Sequence, residues 1–399
     1  MNVLILTPVY PHTNNQLEGL FNKQHAQALQ MLGVDVTVVL CKPWIPNWVA
    51  NSWPRYRRYA NLSKQLENNG VPMVFARYLH VPSYRAIRLT VGSCASGILK
   101  SIKNHFREKR FDLLQIHSAW PVGLAAPVVS EALKCPLVVT LHIEDDPALL
   151  KSAPGMLSYG KMMERASAVV AVGNPLKRFV RENISADLAN RIVKIPNGVD
   201  LKLIDTMRRK DISRNDPKIQ IVSVCNLYPV KGIDLNIQAL ARLRKEGYSN
   251  WHYAVVGGGP EMEKLERLAR DLGIAGLVDF MGRLPHREAL MKIYEGDIFC
   301  LPSRQEAFGI VYLEAMACGK PAVGSLGTGA EDLIKNEKTG LLVPREDVES
   351  LAAALKRLMS DIVWAQKLGE AGREYARQFT WESSASKYLE LYKNILNSF

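Results

Sequence analysis

Two glutamates of the sequence, Glu306 and Glu314, lie eight positions apart around a predicted helix N-terminus. A short apolar strand pattern ends at Pro302, and Gly309 opens an apolar helix that ends at Gly319. The first turn of such a helix presents unpaired backbone N–H groups and a partial positive charge, which bind phosphates and sugar hydroxyls. Glu314 falls among apolar residues, where an unpaired carboxylate is costly, so a ligand diol such as a ribose is its predicted partner. The alternative is a surface helix that carries two solvated glutamates.

Two further candidates follow predicted strands in the first half of the chain. Gly19 comes after the first strand, where a glycine lets the backbone approach a pyrophosphate closely; a glycine needed only for its turn is the alternative. His142 ends a strand pattern, and ligands of parallel sheets bind at the carboxyl ends of the strands, although a histidine at a strand end can also be structural. The sequence has no Gly-x-Gly-x-x-Gly after its first strand, which argues against a nicotinamide-dependent dehydrogenase.

The composition is that of an ordinary soluble protein. The 399 residues are enough for two domains with separate cores, and 47% of them are hydrophobic and 23% charged. The six cysteines are scattered without a Cys-x-x-Cys pair, so we expect reduced core thiols rather than disulfides or zinc ligands. The N-terminal pattern predicts a strand rather than a signal peptide, and no apolar run reaches the roughly 18 residues of a membrane span. These patterns predict a cytoplasmic protein.

The net charge of +12 is concentrated in the first half of the chain. Residues 50–110 contain twelve lysines and arginines but only two acidic residues, and Trp44, Trp48 and Trp53 lie beside or within this stretch. Basic residues mixed with exposed aromatics fit an anionic membrane surface, nucleic acid or a solvated basic face. Because the sequence shows no zinc-finger spacing and no RNA-binding aromatic signature, nucleic acid is the weakest of the three, and we expect no nucleic-acid partner.

Strands alternate with helices along the chain, which predicts an α/β protein with doubly wound parallel sheets. Predicted strands cover 2–7, 35–40, 113–117, 137–142, 167–172 and 192–195 in the first half, and 219–225, 253–256, 278–281, 298–301 and 340–343 in the second. The segment 42–90 is rich in Trp and Pro and predicts a surface insertion rather than a sheet element. The last helix, 381–398, carries an apolar stripe at helical spacing.

The segment Leu301–Val323, LPSRQEAFGIVYLEAMACGKPAV, resembles the Glu-x7-Glu signature of the retaining glycosyltransferases of family 4. The turn KIPNGVD, the loop VVGGGP and the pair Lys231-Gly232 match the same family, and LILTPVYP with ARYLHVP resembles its members that build cell-surface polysaccharides. The resemblance implies the GT-B fold, in which two Rossmann-like doubly wound domains face a cleft. The first domain, 1–200, would bind the acceptor and the second, 201–380, the nucleotide sugar, while a C-terminal helix, 381–399, would pack back on the first domain.

The resemblance also implies roles for individual residues. His142, Lys231 and Glu306 would be catalytic. Lys231 would be the cation that stabilises the leaving phosphate, and Glu306 would bind the hydroxyls of the donor sugar. The alternative for Lys231 is a solvated lysine at a helix start. Glu314 would bind the ribose. Most members have an arginine where this chain has Asn226, and Arg304 is a candidate to replace that cation. The implied donor-binding residues are Gly19, Asn226, Arg283, Leu284, Arg304, Phe308, Gly309, Ile310 and Glu314.

The implied reaction is a hexosyl transfer with retention, from a UDP- or GDP-type sugar to a saccharide or lipid-linked saccharide of a surface polysaccharide. The sequence has no Asp-x-Asp pattern for a divalent metal, so protein cations and N–H groups would stabilise the leaving diphosphate without a metal or a cofactor. The basic, aromatic stretch predicts a peripheral protein on the inner face of the cell membrane. Two alternatives remain: a non-catalytic GT-B protein that binds a nucleotide sugar, and a glycosyltransferase that acts on a soluble small-molecule acceptor.

Overall fold

The computed structural model describes residues 1–13, 15–52, 67–68, 70–80, 86–118, 120–142, 152–208 and 217–399. These residues form two compact units. The first contains Met1–Pro196 together with the C-terminal segment Trp381–Phe399, and the second contains Asn197–Thr380. Each unit has its own sheet and its own core, so each is described separately.

The first unit is built on an eight-stranded sheet in the order β3-β4-β2-β1-β5-β6-β7-β8, which is parallel except where β3 meets β4. Apart from half-buried Asn2, every residue of the central strands β1, β5 and β6 is buried, because helices cover both faces of a parallel sheet. The strands are β1 (Asn2–Thr7), β2 (Asp35–Pro43), β3 (Glu67–Asn68), β4 (Val71–Tyr78), β5 (Leu113–His117), β6 (Leu137–Leu141), β7 (Ala168–Ala171) and β8 (Val193–Lys194).

The last helix of the chain is an integral part of the first unit. It packs on α1, and Tyr392 donates a hydrogen bond of 2.5 Å to the Oε1 atom of Gln115 on β5. The hydroxyls of Tyr388 and Thr140 lie 3.2 Å apart. The helices of this unit are α1 (Leu20–Met31), α2 (Asn47–Ser52), α3 (Ile87–His105), α4 (Val122–Leu133), α5 (Ala153–Arg165), α6 (Asn174–Asn183), α7 (Ala186–Arg191) and α16 (Trp381–Ser398).

The prediction that residues 42–90 form only a surface insertion is wrong for Val71–Tyr78. This segment is the buried strand β4, which pairs parallel with β2. The ladder between β4 and β2 begins one residue after Pro72, at Met73 opposite Val38. The missing N–H of Pro72 therefore costs no hydrogen bond in that ladder. Residues 53–66, which carry Trp53 and several of the basic residues, lie outside the described part of the chain.

The second unit has a six-stranded parallel sheet in the order β11-β10-β9-β12-β13-β14. Its strands are β9 (Ile219–Val224), β10 (Trp251–Val256), β11 (Val278–Gly282), β12 (Ile298–Cys300), β13 (Ala322–Ser325) and β14 (Gly340–Val343). The sequence patterns did not indicate β13, which has only four residues and contains Gly324. Its buried position between β12 and β14 comes from sheet pairing rather than from strand propensity.

The helices of the second unit alternate with these strands and cover the sheet. They are α8 (Leu201–Arg208), α9 (Ile233–Lys245), α10 (Met262–Asp271), α11 (His286–Glu295), α12 (Ile310–Ala317), α13 (Ala330–Leu333), α14 (Val348–Ser360) and α15 (Ile362–Ala376). All six cysteines are free thiols and five of them are buried, as their scattered positions predicted. Across the described ranges no helix is both long enough and apolar enough to cross a membrane.

Candidate functional site

The candidate site of the second unit lies where the strand order of its sheet changes direction. The chain runs from β9 outwards to β10 and β11 and then returns to β12 on the other side of β9. The connections that leave the carboxyl ends of β9 and β12 therefore diverge, and such a switch point is where open α/β sheets bind ligands. Lys231, Glu306 and the start of α12 all lie on these connections.

The start of α12 depends on Gly309. Its φ of 83° is in the left-handed region, and a Cβ there would lie 2.4 Å from the ring of Tyr312. The hydroxyl of Tyr312 in turn donates to the carbonyl of Leu301, which anchors the helix to the end of β12. Among the described residues no hydrogen bond uses the N–H groups of Phe308, Gly309 or Ile310. This turn therefore offers donors to an anion or to hydroxyl groups.

Lys231 and Glu306 form an ion pair at this switch point. Lys231 ends a 3₁₀ turn, Pro229–Lys231, and its Nζ lies 2.7 Å from Oε2 of Glu306. The two connections are also joined through the backbone, because the N–H of Arg304 donates to the carbonyl of Val230. Both side chains keep some exposure, 23% for Lys231 and 13% for Glu306, so a ligand can reach the pair.

The thiol of Cys225 lies near the same pair, at the end of β9. Burial raises its pKa to about 12; the charge of Lys231 lowers the pKa and that of Glu306 raises it. The thiol is therefore protonated at neutral pH and is not a nucleophile there.

Glu314, for which the sequence predicted a ligand diol as the partner, already has one partner within the protein. Its Oε1 lies 2.7 Å from Nε2 of His286, the first residue of α11. Burial by itself would lower the pKa of His286, but the hydrogen bond and charge of Glu314, together with the charge of Asp200, raise it above the ordinary value. Oε2 of Glu314 accepts no hydrogen bond from the described residues, so the carboxylate can still take one ligand hydroxyl. No sequence pattern indicated His286, because a local pattern does not link residues on two different helices.

Arg304 is engaged by carboxylates of its own. Its guanidinium donates to both oxygens of Asp234, at 2.9 and 2.8 Å, and to Oε1 of Glu346 at 3.0 Å. Asp234 raises the pKa of Arg304, against the effect of partial burial. Arg304 thus ties the loop after β12 to the first turn of α9. Asn226, the position where the resemblance expects an arginine, is exposed in the loop after β9.

The glycine-rich loop after β10 brings the connections of β9, β10 and β11 together. The N–H of Gly257 donates to the carbonyl of Gly282, and the N–H of Leu227 donates to the carbonyl of Gly258. A Cβ on Gly258 would lie 3.0 Å from Cγ of Arg283, so the stem of this arginine crosses the loop closely. Arg283 is exposed and Leu284 half-buried, and both follow the carboxyl end of β11. All the predicted residues of the second unit are thus on the carboxyl side of its sheet.

The first unit places its two candidates at the corresponding edge of its own sheet. Gly19 precedes α1 with φ 64°, and a Cβ there would lie 2.3 Å from the carbonyl oxygen of Val9. His142 follows β6 and is buried, with its Nε2 3.0 Å from Nδ1 of His117. Burial, and then the charge of His25, lowers the pKa of His142 to about 3, so the ring is neutral near pH 7. Glu144, Asp145 and Asp146, which follow it, are not among the described residues.

The two Rossmann-like units, each with its candidate residues at the carboxyl ends of its strands, have the GT-B fold. The crystal structure of HepE from Anabaena in complex with UDP-glucose superposes with a TM-score of 0.72 at 18% identity and covers 99% of this chain and 100% of that one. In the part of the chain that the structure describes, no group of three His, Cys, Asp or Glu side chains could hold a metal ion.

The chain belongs to family 4 of the glycosyltransferases. The Glycosyltransferase Family 4 model matches residues 21–203, and the model for glycosyl transferases group 1 matches residues 205–375. The chain is 30% identical to the D-inositol 3-phosphate glycosyltransferase of Kribbella flavida over 305 residues, 71% of each protein. It is 26% identical to the putative teichuronic acid biosynthesis glycosyltransferase TuaC of Bacillus subtilis over 377 residues, 93% of this chain and 92% of TuaC.

Proposed function

We propose that this glycosyltransferase moves a sugar, with retention of configuration, from a UDP- or GDP-type nucleotide sugar to a lipid-linked saccharide of a cell-surface polysaccharide. The observation that carries the proposal is the Lys231–Glu306 pair beside the open N–H groups that precede α12. This arrangement offers a cation and backbone donors to a diphosphate, and a carboxylate to sugar hydroxyls. The name of TuaC supports a polysaccharide product, and the UDP-glucose complex of HepE supports a uridine nucleotide.

The proposed mechanism assigns a separate task to each group. As the bond between the sugar and the diphosphate breaks, negative charge grows on the leaving phosphate, and Lys231 and the helix N–H groups stabilise it. Glu306, held by Lys231, accepts hydrogen bonds from the hydroxyls of the donor sugar. The acceptor hydroxyl attacks the same face that the diphosphate leaves, and its proton passes to the leaving phosphate oxygen. No divalent metal takes part in this scheme, which relies on protein cations instead.

The test begins with the nucleotide. Thermal shift with UDP, GDP and ADP should single out one of them, because a ligand at 100 times its Kd adds roughly 2.7 kcal/mol to the stability of the state that binds it. The sugar of that nucleotide is then supplied with lipid-linked and soluble acceptors, with and without a chelator, and NMR of the product gives its anomeric configuration. Donor binding with neither transfer nor hydrolysis would show a nucleotide-sugar-binding protein that lacks turnover. An inverted product would contradict the retaining mechanism.

We also propose that the first unit docks on an anionic membrane, which would present a lipid-linked acceptor. Two exposed tryptophans support this: Trp44, just after β2, is 54% exposed, and Trp48, on α2, is 73% exposed. Leu79 and Leu89 are also exposed, at 53% and 68%. The backbone N–H of Trp44 donates a hydrogen bond to the backbone carbonyl of Tyr78 at the end of β4, which places Trp44 beside Leu79. Exposed aromatics next to basic residues are typical of interfacial binding, to which each basic side chain contributes about 1 kcal/mol.

Liposome flotation tests the docking proposal. The wild type should float with anionic but not with neutral liposomes, and Trp44→Ser together with Trp48→Ser should abolish flotation at high salt. Leu157→Ser is the matched control, because Leu157 is 61% exposed in the same unit but lies on α5. A wild type that stays in solution with anionic liposomes at low salt would favour a soluble acceptor and would leave the transferase assignment unaffected.

A further inference from the structure

Three histidine side chains are buried together at the carboxyl ends of β5 and β6. His117 is the last residue of β5, and His142 follows the last residue of β6. Their rings are stacked with centroids 5.3 Å apart, and Nδ1 of His117 lies 3.0 Å from Nε2 of His142. The ring of His25 lies 5.1 Å from that of His117 and binds Gln115 through its Nε2. Family resemblance singled out only His142 of these three.

Both imidazoles of the stacked pair are neutral. Burial lowers the pKa of His117 well below its ordinary value, and the repulsion that a proton on His25 or His142 would exert lowers it further. A neutral imidazole carries one N–H donor and one bare acceptor nitrogen. A hydrogen bond between Nδ1 of His117 and Nε2 of His142 therefore requires that one ring donates and the other accepts. The direction of this bond determines the tautomer of each ring.

The other nitrogen of His117 decides the direction. Its Nε2 is buried and has no hydrogen-bond partner among the described residues. If His142 donated, His117 would carry its own proton on Nε2, as a buried N–H without an acceptor. If His117 donates, Nε2 is a bare acceptor instead. Orphaned buried N–H groups are rarer in proteins than under-satisfied acceptors, so the second arrangement is favoured.

We propose that His117 is a positioning residue that donates its Nδ1–H to Nε2 of His142 and thereby keeps the proton of His142 on Nδ1. In this state His142 offers one N–H donor, from Nδ1, and its Nε2 lone pair is already used. His142 then acts as a hydrogen-bond donor to a ligand oxygen and not as a general base. The catalytic relevance of this inference rests on the proposed transferase function, whereas the tautomer itself does not.

The tautomer can be read from the protein without any substrate. In long-range proton–nitrogen NMR spectra of the full chain with ¹⁵N-labelled histidine, His142 should show a protonated Nδ1 and a bare Nε2 at pH 7. The eight histidines are few enough to assign by substitution. His117→Asn keeps an N–H donor near the position of Nδ1 and should preserve this pattern. His117→Phe keeps the ring volume but removes the donor, and should move the proton of His142 towards Nε2.

Kinetics with the donor found above complete the test. His117→Phe should lower kcat at least about tenfold with little change in the donor KM, and His117→Asn should restore most of the loss. His105→Phe, an exposed histidine on α3, is the control and should change neither the spectrum nor kcat.

A wild-type His142 with its proton on Nε2 overturns the proposal, and this result does not depend on the folding of any variant. An unchanged kcat in a folded His117→Phe variant overturns the positioning role. If the wild type transfers no sugar at all, the proposed function fails, while the spectrum still decides the tautomer.

Discussion

The carboxylate of Glu314 is held by the imidazole of His286 through a hydrogen bond of 2.7 Å, although the two residues lie on different helices, 28 positions apart. The pair joins the first residue of α11 to the middle of α12 and leaves one carboxylate oxygen for a ligand. A residue predicted to bind a ribose is therefore also part of the packing of the second unit.

Glu314→Gln should weaken nucleotide binding without unfolding the protein. The substitution keeps the volume and removes the charge that accepts the ribose hydroxyl, so the loss should be on the order of 1.5–3 kcal/mol. Calorimetry with the preferred nucleotide measures it. Glu374→Gln, at a side chain 76% exposed on α15, serves as the control. Equal affinities for the wild type and Glu314→Gln would contradict the ribose role.

The His286–Glu314 pair predicts a pH dependence of stability. The pKa of His286 is raised in the folded protein, so the pair contributes fully below the unfolded pKa of about 6.5, and the contribution disappears as the pH rises through the folded value. Urea unfolding midpoints of the wild type and His286→Gln should thus differ most at about pH 5.5 and converge at about pH 8.5. A difference that stays constant over this range would mean that His286 contributes packing and not charge.

Lys231→Met should lower turnover more than donor affinity. The ammonium is most useful when the phosphate carries its developing charge, so we expect a loss of about 10² in kcat, similar to the removal of one electrostatic donor elsewhere. Steady-state kinetics separate kcat from KM. The control is Lys264→Met, at a lysine 66% exposed on α10. A raised KM with normal kcat would reduce Lys231 to a ground-state binding residue.

Asn226→Arg should raise kcat/KM for the donor, because the added cation should stabilise the transition state by roughly 1 kcal/mol. Arg304 is occupied by Asp234 and Glu346, so a new guanidinium after β9 would add a cation instead of duplicating one. Asn226→Gln is the control, because it lengthens the side chain without adding a charge. If the arginine variant is no faster than the wild type, the site already has the cation that it needs.

Gly19→Ala should destabilise the first unit by about 1–3 kcal/mol, since the new Cβ would meet the carbonyl of Val9 and the backbone is left-handed. Gly33→Ala provides a close comparison. Gly33 has φ 82° but no atom within 4 Å of an added Cβ, so only the backbone strain remains. Thermal unfolding of both variants isolates the steric part, and similar losses would show that the close approach of Val9 contributes nothing.

Local patterns were sufficient for most of the secondary structure and for the family. Apolar periodicity predicted the last helix, α16, with the bounds that the structure shows, and Gly309 indicated the start of the site helix α12. Helix periodicity, turn glycines and the Glu-x7-Glu spacing all depend on residues that are close in sequence, so they can be read without the structure. The sequence by itself therefore determined the α/β class, the carboxyl-edge positions of the candidates and the membership in family 4.

The tertiary structure decided which side chains pair with one another, and it decided that β4 and β13 are strands. The segment Val71–Tyr78 is a strand because it pairs with β2 from the residue after Pro72 onwards. The segment Ala322–Ser325 is a strand because it pairs with β12 on one side and with β14 on the other. His286 on Glu314, Asp234 on Arg304 and His117 on His142 are each separated by 25 to 70 residues. These side chains come within hydrogen-bond distance of each other only when the chain has folded. For that reason the protonation states of the candidate groups follow from the folded packing and not from their spacing in the chain.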